Sequence, residues 1–120
     1  LVVAALIKDG KTADDPVVAK GLKYIEGKIK KDGGVYDRGL ENYTTCLAIV
    51  AFKEANADGK YDKAIKAATD YVRKLQYGDV PADDAKYGGT GYDGKTRPDL
   101  SNTHFFVEAL LASGAKADDP

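Results

Sequence analysis

The 120-residue chain has no tryptophan, no methionine, one cysteine and one histidine. A lone cysteine forms no internal disulfide, so no stapled framework holds the fold, and the compartment stays open. An excess of charge is missing too. Eighteen Lys and Arg stand interleaved with 19 Asp and Glu for a net charge of −1, which lacks the electrostatic footprint that nucleic acid or an anionic membrane surface requires. Long hydrophobic runs are also absent. The longest, residues 1–7 and 46–52, have seven residues each, against the roughly 20 needed to cross a bilayer as a helix. No transmembrane segment is expected. Residues 1–7 have neither a basic flank before them nor a small-residue cleavage site after them, so they are not a whole signal peptide, and the chain is expected to continue upstream.

What the chain does have is an internal repeat. Sliding LVVAALIKDGKTADDP (residues 1–16) onto FFVEALLASGAKADDP (residues 105–120) gives eight identities without a gap: Val3/Val107, Ala5/Ala109, Leu6/Leu110, Gly10/Gly114, Ala13/Ala117, Asp14/Asp118, Asp15/Asp119 and Pro16/Pro120. The chain thus enters part-way along one helix and leaves with Pro120 opening another. A second match sets DGGVYD (residues 32–37) against YGGTGYDG (residues 87–94). Each is followed by an apolar run, in which Thr45 falls on Thr103, Cys46 on His104 and Ala51 on Ala109. The unit reads as a polar-faced helix, a Gly-Gly turn and an apolar helix, 46 to 58 residues long. The units are placed at about 14–59 and 60–117, with a partial inner helix at 1–8.

Periodicity separates the two kinds of helix. In residues 16–31, Val18, Leu22, Ile25 and Ile29 step by 4, 3 and 4 with lysines on the other side. In residues 61–77, Tyr61, Ile65, Ala68, Val72 and Leu75 do the same; both patterns predict half-buried helices. Residues 46–52 contain no polar side chain and need cover on most sides. A polar-faced outer layer over an apolar inner layer predicts an all-α fold of antiparallel helix-hairpin repeats, about two in number. Glycines 33, 34, 88 and 89 are expected where the chain reverses, and residues 78–98 as one long ordered loop.

The order of D-P-x-V-x-x-x-L-x-Y-I (residues 15–25), D-G-G-V-Y (residues 32–36), YTTCLAIVAF and then YGGTGY with RPDLSNT (residues 97–103) resembles the prenyltransferase and squalene-oxidase repeat, and in particular bacterial terpene-cyclase-like repeat proteins. The resemblance covers essentially the whole chain. It implies the α/α toroid of terpenoid cyclases and protein prenyltransferases, and many relatives of this kind are secreted.

The chemistry that the resemblance implies is incomplete in this chain. The D-x-D-D acid of the cyclases and the D-D-x-x-D magnesium motif are both missing. Asp14-Asp15 and Asp118-Asp119 precede proline and read as helix caps, while Asp83-Asp84 reads as a solvated turn. The zinc set of prenyltransferases would need an Asp two residues before Cys46, where Thr44 stands. Cys46 and His104, with Asp99 as a third ligand, are the weak metal candidates; a buried small hydrophobe and a hydrogen-bonded core histidine are the preferred readings. No cofactor is implied and no catalytic residue is assigned. The cyclase QW brace is degraded, with Tyr36 and Tyr92 in place of Trp and Ile29 in place of Gln. Glu108 breaks the apolar run of its helix, where its repeat counterparts are Val50 and Ala4. It should face solvent or a polar crevice, or pair with Arg97. Tyr36, Tyr87 and Tyr92 line an apolar mouth or, preferentially, pack the turns against the next helix pair. The ligand or partner residues are therefore Tyr36, Tyr87, Tyr92, Arg97, Asp99, His104 and Glu108, facing a protein partner, a second copy of the chain or an apolar small molecule. The alternatives are a segment of an isoprenoid enzyme whose catalytic acids lie elsewhere, and a structural assembly role.

Overall fold

The computed structural model describes residues 1–116 together with Asp118 and Asp119. Ala117 and Pro120, including the helix start expected at Pro120, lie outside the described residues. The described chain is all-helical: α1 (Val2–Lys8), α2 (Pro16–Glu26), α3 (Glu41–Glu54), α4 (Asp62–Arg73) and α5 (Leu100–Ser113). Its extents are 48 × 31 × 22 Å, and the smallest equals two helix diameters. The molecule is a slab of two helical layers, with α1, α3 and α5 forming one layer and α2 and α4 the other. α3 packs against all four other helices.

Local chemistry explains the starts and stops. Asp15 caps α2 by accepting from the Val17 amide at 3.0 Å, and Pro16 follows at a position whose missing N–H costs nothing. Asp99 caps α5 by accepting from Asn102 N at 2.9 Å. Gly114, at φ 105°, ends α5 in the left-handed region, with the Ala115 amide reaching back to Leu110 O at 2.9 Å.

Both outer helices stop earlier than the periodicity predicts, α2 at Glu26 rather than Lys31 and α4 at Arg73 rather than Tyr77. The reason is the same in each repeat. Residues following the helix give up the helical hydrogen-bond pattern to pair with the Gly-Gly segment. Lys30 N donates to Gly34 O at 2.8 Å, and Ile29 bridges Val35. Tyr77 N donates to Gly89 O at 3.0 Å and Gly88 N to Tyr77 O at 2.9 Å. Gly33 and Gly88 take positive φ, 94° and 75°. At Gly34 and Gly89 a Cβ would come within 2.5 Å of the Tyr36 ring and 2.8 Å of Pro98, so those two positions are held by close approach.

The core runs along α3. Cys46, Ile49, Ala51 and Phe52 are fully buried, with Val18, Ala68, Val72 and Ala109 packed from the other helices. Phe52 stacks on Tyr61 at 4.6 Å between ring centres, and the Tyr61 hydroxyl donates to Glu26 at 2.6 Å. α3 is thereby fixed to α4, and α4 to the end of α2.

Candidate functional site

At 100° per residue an α-helix displays its side chains on predictable faces, and α3 shows four. Thr45, Ala48 and Phe52 point to the outer layer. Asn42, Cys46 and Ile49 point toward α5, and Ala51 and Ala55 toward α1; all of these are buried. The fourth face, Tyr43, Leu47, Val50 and Glu54, steps by 4, 3 and 4 and is half-buried, with Leu47 at its border also lining a cleft toward Tyr24 of α2. Its neighbours continue it. Phe105 of α5 meets Tyr43 edge-on at 4.7 Å, and Lys8 of α1 reaches Glu54 at 3.5 Å. The inner face is thus an apolar strip with one ion pair at its end.

The repeat identity between Thr45 and Thr103 has a structural meaning. Val35 N donates to Thr45 Oγ1 at 2.9 Å, and Thr90 N donates to Thr103 Oγ1 at 3.1 Å. Each inner helix therefore ties down the strand that leaves its Gly-Gly turn. Between the two ties lies a buried amide cluster. Asn42 Nδ2 donates to Thr90 Oγ1 at 3.1 Å and to Asn102 O at 3.2 Å. Its Oδ1 accepts from Cys46 Sγ at 3.2 Å, and Asn102 Nδ2 donates to Asp99 Oδ2 at 2.7 Å. Among the described residues every buried side-chain nitrogen and oxygen has a partner. Sequence reasoning missed Asn42, Thr90 and Asn102; the available signal was an Asn within three positions of the start of both apolar helices.

Six of the seven predicted site residues fall into three places. Tyr87, Arg97 and Asp99 line an open groove of about 750 Å³ with Gly88, Leu100 and Thr103. The amides and hydroxyls around Asp99, chiefly Asn102 N, hold its carboxyl below the usual carboxylate range. Tyr36 lines a different cleft of about 230 Å³ with Leu1, Tyr24, Leu47 and the Lys28–Asp37 pair. It stacks on Tyr71 at 5.7 Å and donates to Asp32 at 2.7 Å. This is the packing expected of a turn tyrosine. Tyr87 and Tyr92 do not follow it, being 53% and 44% exposed, with no helix pair among the described residues over their side of the loop.

His104 and Glu108 form the third place, on the exposed side of α5. The core reading of His104 is therefore wrong. Its repeat counterpart Cys46 is covered by α5, whereas no described element lies beyond α5 to cover His104. Its ring meets Phe105 edge-on at 5.6 Å. Glu108 faces solvent, and among the described residues no ion pair joins it to Arg97. Cys46 is inert: burial pushes its thiol up to about 12, so it holds no thiolate near neutrality. Among the described residues no cluster of three or more His, Cys, Asp or Glu could hold a metal, and none of the helices is long and apolar enough to cross a membrane. Of the three acid pairs, Asp15 is the expected cap. Asp84 accepts from Lys86 N at 2.8 Å in a turn, and Asp119 pairs with Arg73 at 2.5 Å.

An all-α slab of paired helices, with Gly-Gly turns and an apolar inner strip, defines a helix-hairpin repeat protein of the α/α-toroid class. The family described as squalene-hopene cyclase C-terminal domain matches residues 1–120. The chain belongs to that family, and so to the terpenoid cyclase and prenyltransferase superfamily. No curated protein and no solved structure matches it significantly.

Proposed function

We propose that this chain is a non-catalytic module of terpenoid-cyclase-like fold that holds an apolar ligand, or an apolar stretch of a protein partner, on its inner face. The strip of Tyr43 and Val50, bordered by Leu47 and continued by Phe105, carries the reading: it is half-buried and apolar. In an α/α toroid that face is the concave one. The acid inventory supports the absence of cyclase chemistry. An acid that protonates an alkene must stay protonated until it acts, which requires burial or a neighbouring like charge to raise its pKa. The buried polar side chains here are amides and hydroxyls, Asn42, Thr45, Thr90 and Asn102. Asp15, Glu26, Asp32 and Asp99 are instead shifted downward by hydrogen bonds from Lys11, Tyr61, Tyr36 and Asn102 N respectively.

With no tryptophan, tyrosine emission is the intrinsic reporter, and a Tyr43→Phe control assigns its change to the inner face. Titration with a linear isoprenoid hydrocarbon should change tyrosine fluorescence saturably. Val50→Glu should weaken binding at least about tenfold, equal to about 1.4 kcal/mol, while Lys20→Glu on the outer layer should leave it unchanged. Equal behaviour of the two variants would remove the inner face from the reading.

The family match favours a second reading, in which the chain is part of a larger isoprenoid cyclase whose catalytic acids lie outside these residues. A source protein of several tens of kDa that cyclises squalene would support it. A cyclic product whose formation required an acid within this chain would refute the non-catalytic reading.

A further inference from the structure

We infer that the outer layer is a docking face for an acidic polysaccharide, held by unpaired lysines on the solvent side of α2, of the turn after it and of α4. Along the chain the charges interleave, but folding sorts them by layer. Residues 16–31 and 61–77, the outer helices with the turns that follow them, carry nine Lys and Arg against three Asp and Glu, whereas the rest of the chain carries nine against 16. The net charge of −1 is thus the small difference between a basic layer and an acidic remainder.

The three acids of the outer layer are engaged locally. Glu26 pairs with Lys60 at 3.2 Å and accepts from the Tyr61 hydroxyl at 2.6 Å. Asp62 accepts from Asn56 Nδ2 at 2.6 Å, and Asp70 pairs with Lys66 at 2.7 Å. Among the described residues no ion pair involves Lys20, Lys23, Lys30, Lys31, Lys63 or Lys74. Helical geometry gives their places. With Val18 and Leu22 buried, a turn of 100° per residue puts Lys20 and Lys23 on the far side of α2. Buried Ile65, Ala68 and Val72 do the same for Lys63 and Lys74 of α4, about 16 Å apart along the axis. The turn carrying Lys30 and Lys31 closes on α4, where a Cβ at Gly33 would come within 2.6 Å of Ala67 O. Lysines from both helices therefore share one surface. It belongs to the solvent sides of two complete helices and not to the edges of the inner-helix row.

The residues around the lysines choose among polyanions. Lysine is a compact, strongly hydrated point charge without the fixed fork of arginine, which suits charge spread along a polymer. Small exposed residues, Ala19, Gly27 and Ala67, stand among the lysines. Val17 and Tyr24 share the flank of Gly21, which is turned to Val3 of α1, and Lys28 already lies over the Tyr24 ring at 5.2 Å. The lysine surface thus offers no free ring on which the bases of a single-stranded nucleic acid could stack, and no apolar stripe for a bilayer to take up. An acidic protein segment would need an apolar anchor, but the adjoining cleft of about 380 Å³ carries Asp14, Glu26 and Asp58 on its walls. Carboxylates repeated along a hydrophilic chain are the chemistry that remains. The outer layer lies opposite the inner face, so this binding is independent of what the inner face holds.

Binding to immobilised polygalacturonate tests it on the 120-residue chain. At pH 7 and low salt the protein should bind despite its net negative charge, and rising salt should release it. Lys63→Glu with Lys74→Glu should weaken binding at least about tenfold, whereas Lys86→Glu with Lys95→Glu, an equal change of charge on the loop of residues 78–98, should alter it less than about twofold. Circular dichroism checks that each variant is folded; should the first pair unfold, Lys20→Gln with Lys31→Gln takes its place. Val50→Glu, which probes the inner face, should bind polygalacturonate as the wild type does. Absence of wild-type binding would overturn the proposal, and so would equal losses in the two Glu pairs, the behaviour of net charge alone. Tighter binding to polyglutamate, single-stranded DNA or phosphatidylglycerol vesicles at matched charge would overturn the choice of a polysaccharide.

Discussion

α3 and α5 are both fourteen residues long and hold equivalent places in the repeat, yet they are stabilised in different ways. α3 is surrounded. Its start is locally poor: the N-cap is Leu40 at φ 56°, a left-handed conformation unfavourable for a branched residue, and no side chain caps the helix. α5 is covered on one side only, and its start is well made, with Asp99 accepting from Asn102 N and Ser101 Oγ. Tertiary burial tolerates weak local chemistry in α3, and local capping supports α5 where burial is thin. The contrast is open to test position by position.

The largest break should come at equivalent apolar positions. Phe52 is fully buried and stacked on Tyr61, whereas Leu110, its counterpart on α5, is half-buried. Phe52→Ala should cost about 4 kcal/mol and Leu110→Ala about 2 kcal/mol, read from urea unfolding. If Phe52→Ala leaves too little folded protein to measure, Phe52→Leu against Leu110→Ala keeps the comparison. Equal costs would mean that α5 is as well packed as α3.

Asn42 and Leu100 give the next contrast. Asn42→Ala strips donors from buried Thr90 and Asn102 and should cost about 2 kcal/mol. Leu100→Ala, at a position 90% exposed, should change stability by no more than about 0.5 kcal/mol in a dilute monomeric sample. A silent Asn42 variant would show that the amide cluster fills space without binding the α3 and α5 starts together.

The helices and their faces were legible because apolar spacing reports burial directly, and α3 and the central turns of α2 and α4 follow it residue by residue. The ends of α2 and α4 were not. Their last turns are taken by backbone bonds to glycines met later in the chain, Tyr77 to Gly88 and Gly89 for example, and side-chain periodicity carries no record of such bonds. His104 was misplaced for a related reason. The pattern says that its face is apolar, but only a neighbouring helix decides whether that face is buried. The amide cluster escaped because a single Asn in an apolar run is indistinguishable by pattern from an exposed polar residue. Tyr87, Arg97 and Asp99, by contrast, came together because one glycine-rich loop holds them near the start of α5.

The smallest effect concerns the two helix starts and is separable by pH. Hydrogen bonds from Asn102 N, Ser101 Oγ and Asn102 Nδ2 lower the Asp99 pKa in the folded chain. Its stabilisation is therefore complete above the unfolded value of about 3.9 and is lost as pH falls through the lower folded value. Asp99→Ala should destabilise by about 1 kcal/mol at pH 7, and the gap between the two melting midpoints should narrow as the pH falls below about 4. Asp99→Asn keeps an acceptor but no charge, so it should retain much of the cap without its own titration. Leu40→Gly, at the start of α3, should stabilise by about 1 kcal/mol through relief of the left-handed strain, with no dependence on pH. A constant Asp99→Ala gap down to pH 2 would mean that the carboxylate charge contributes nothing to the start of α5, and the contrast between a capped and a covered helix would then rest on Leu40 alone.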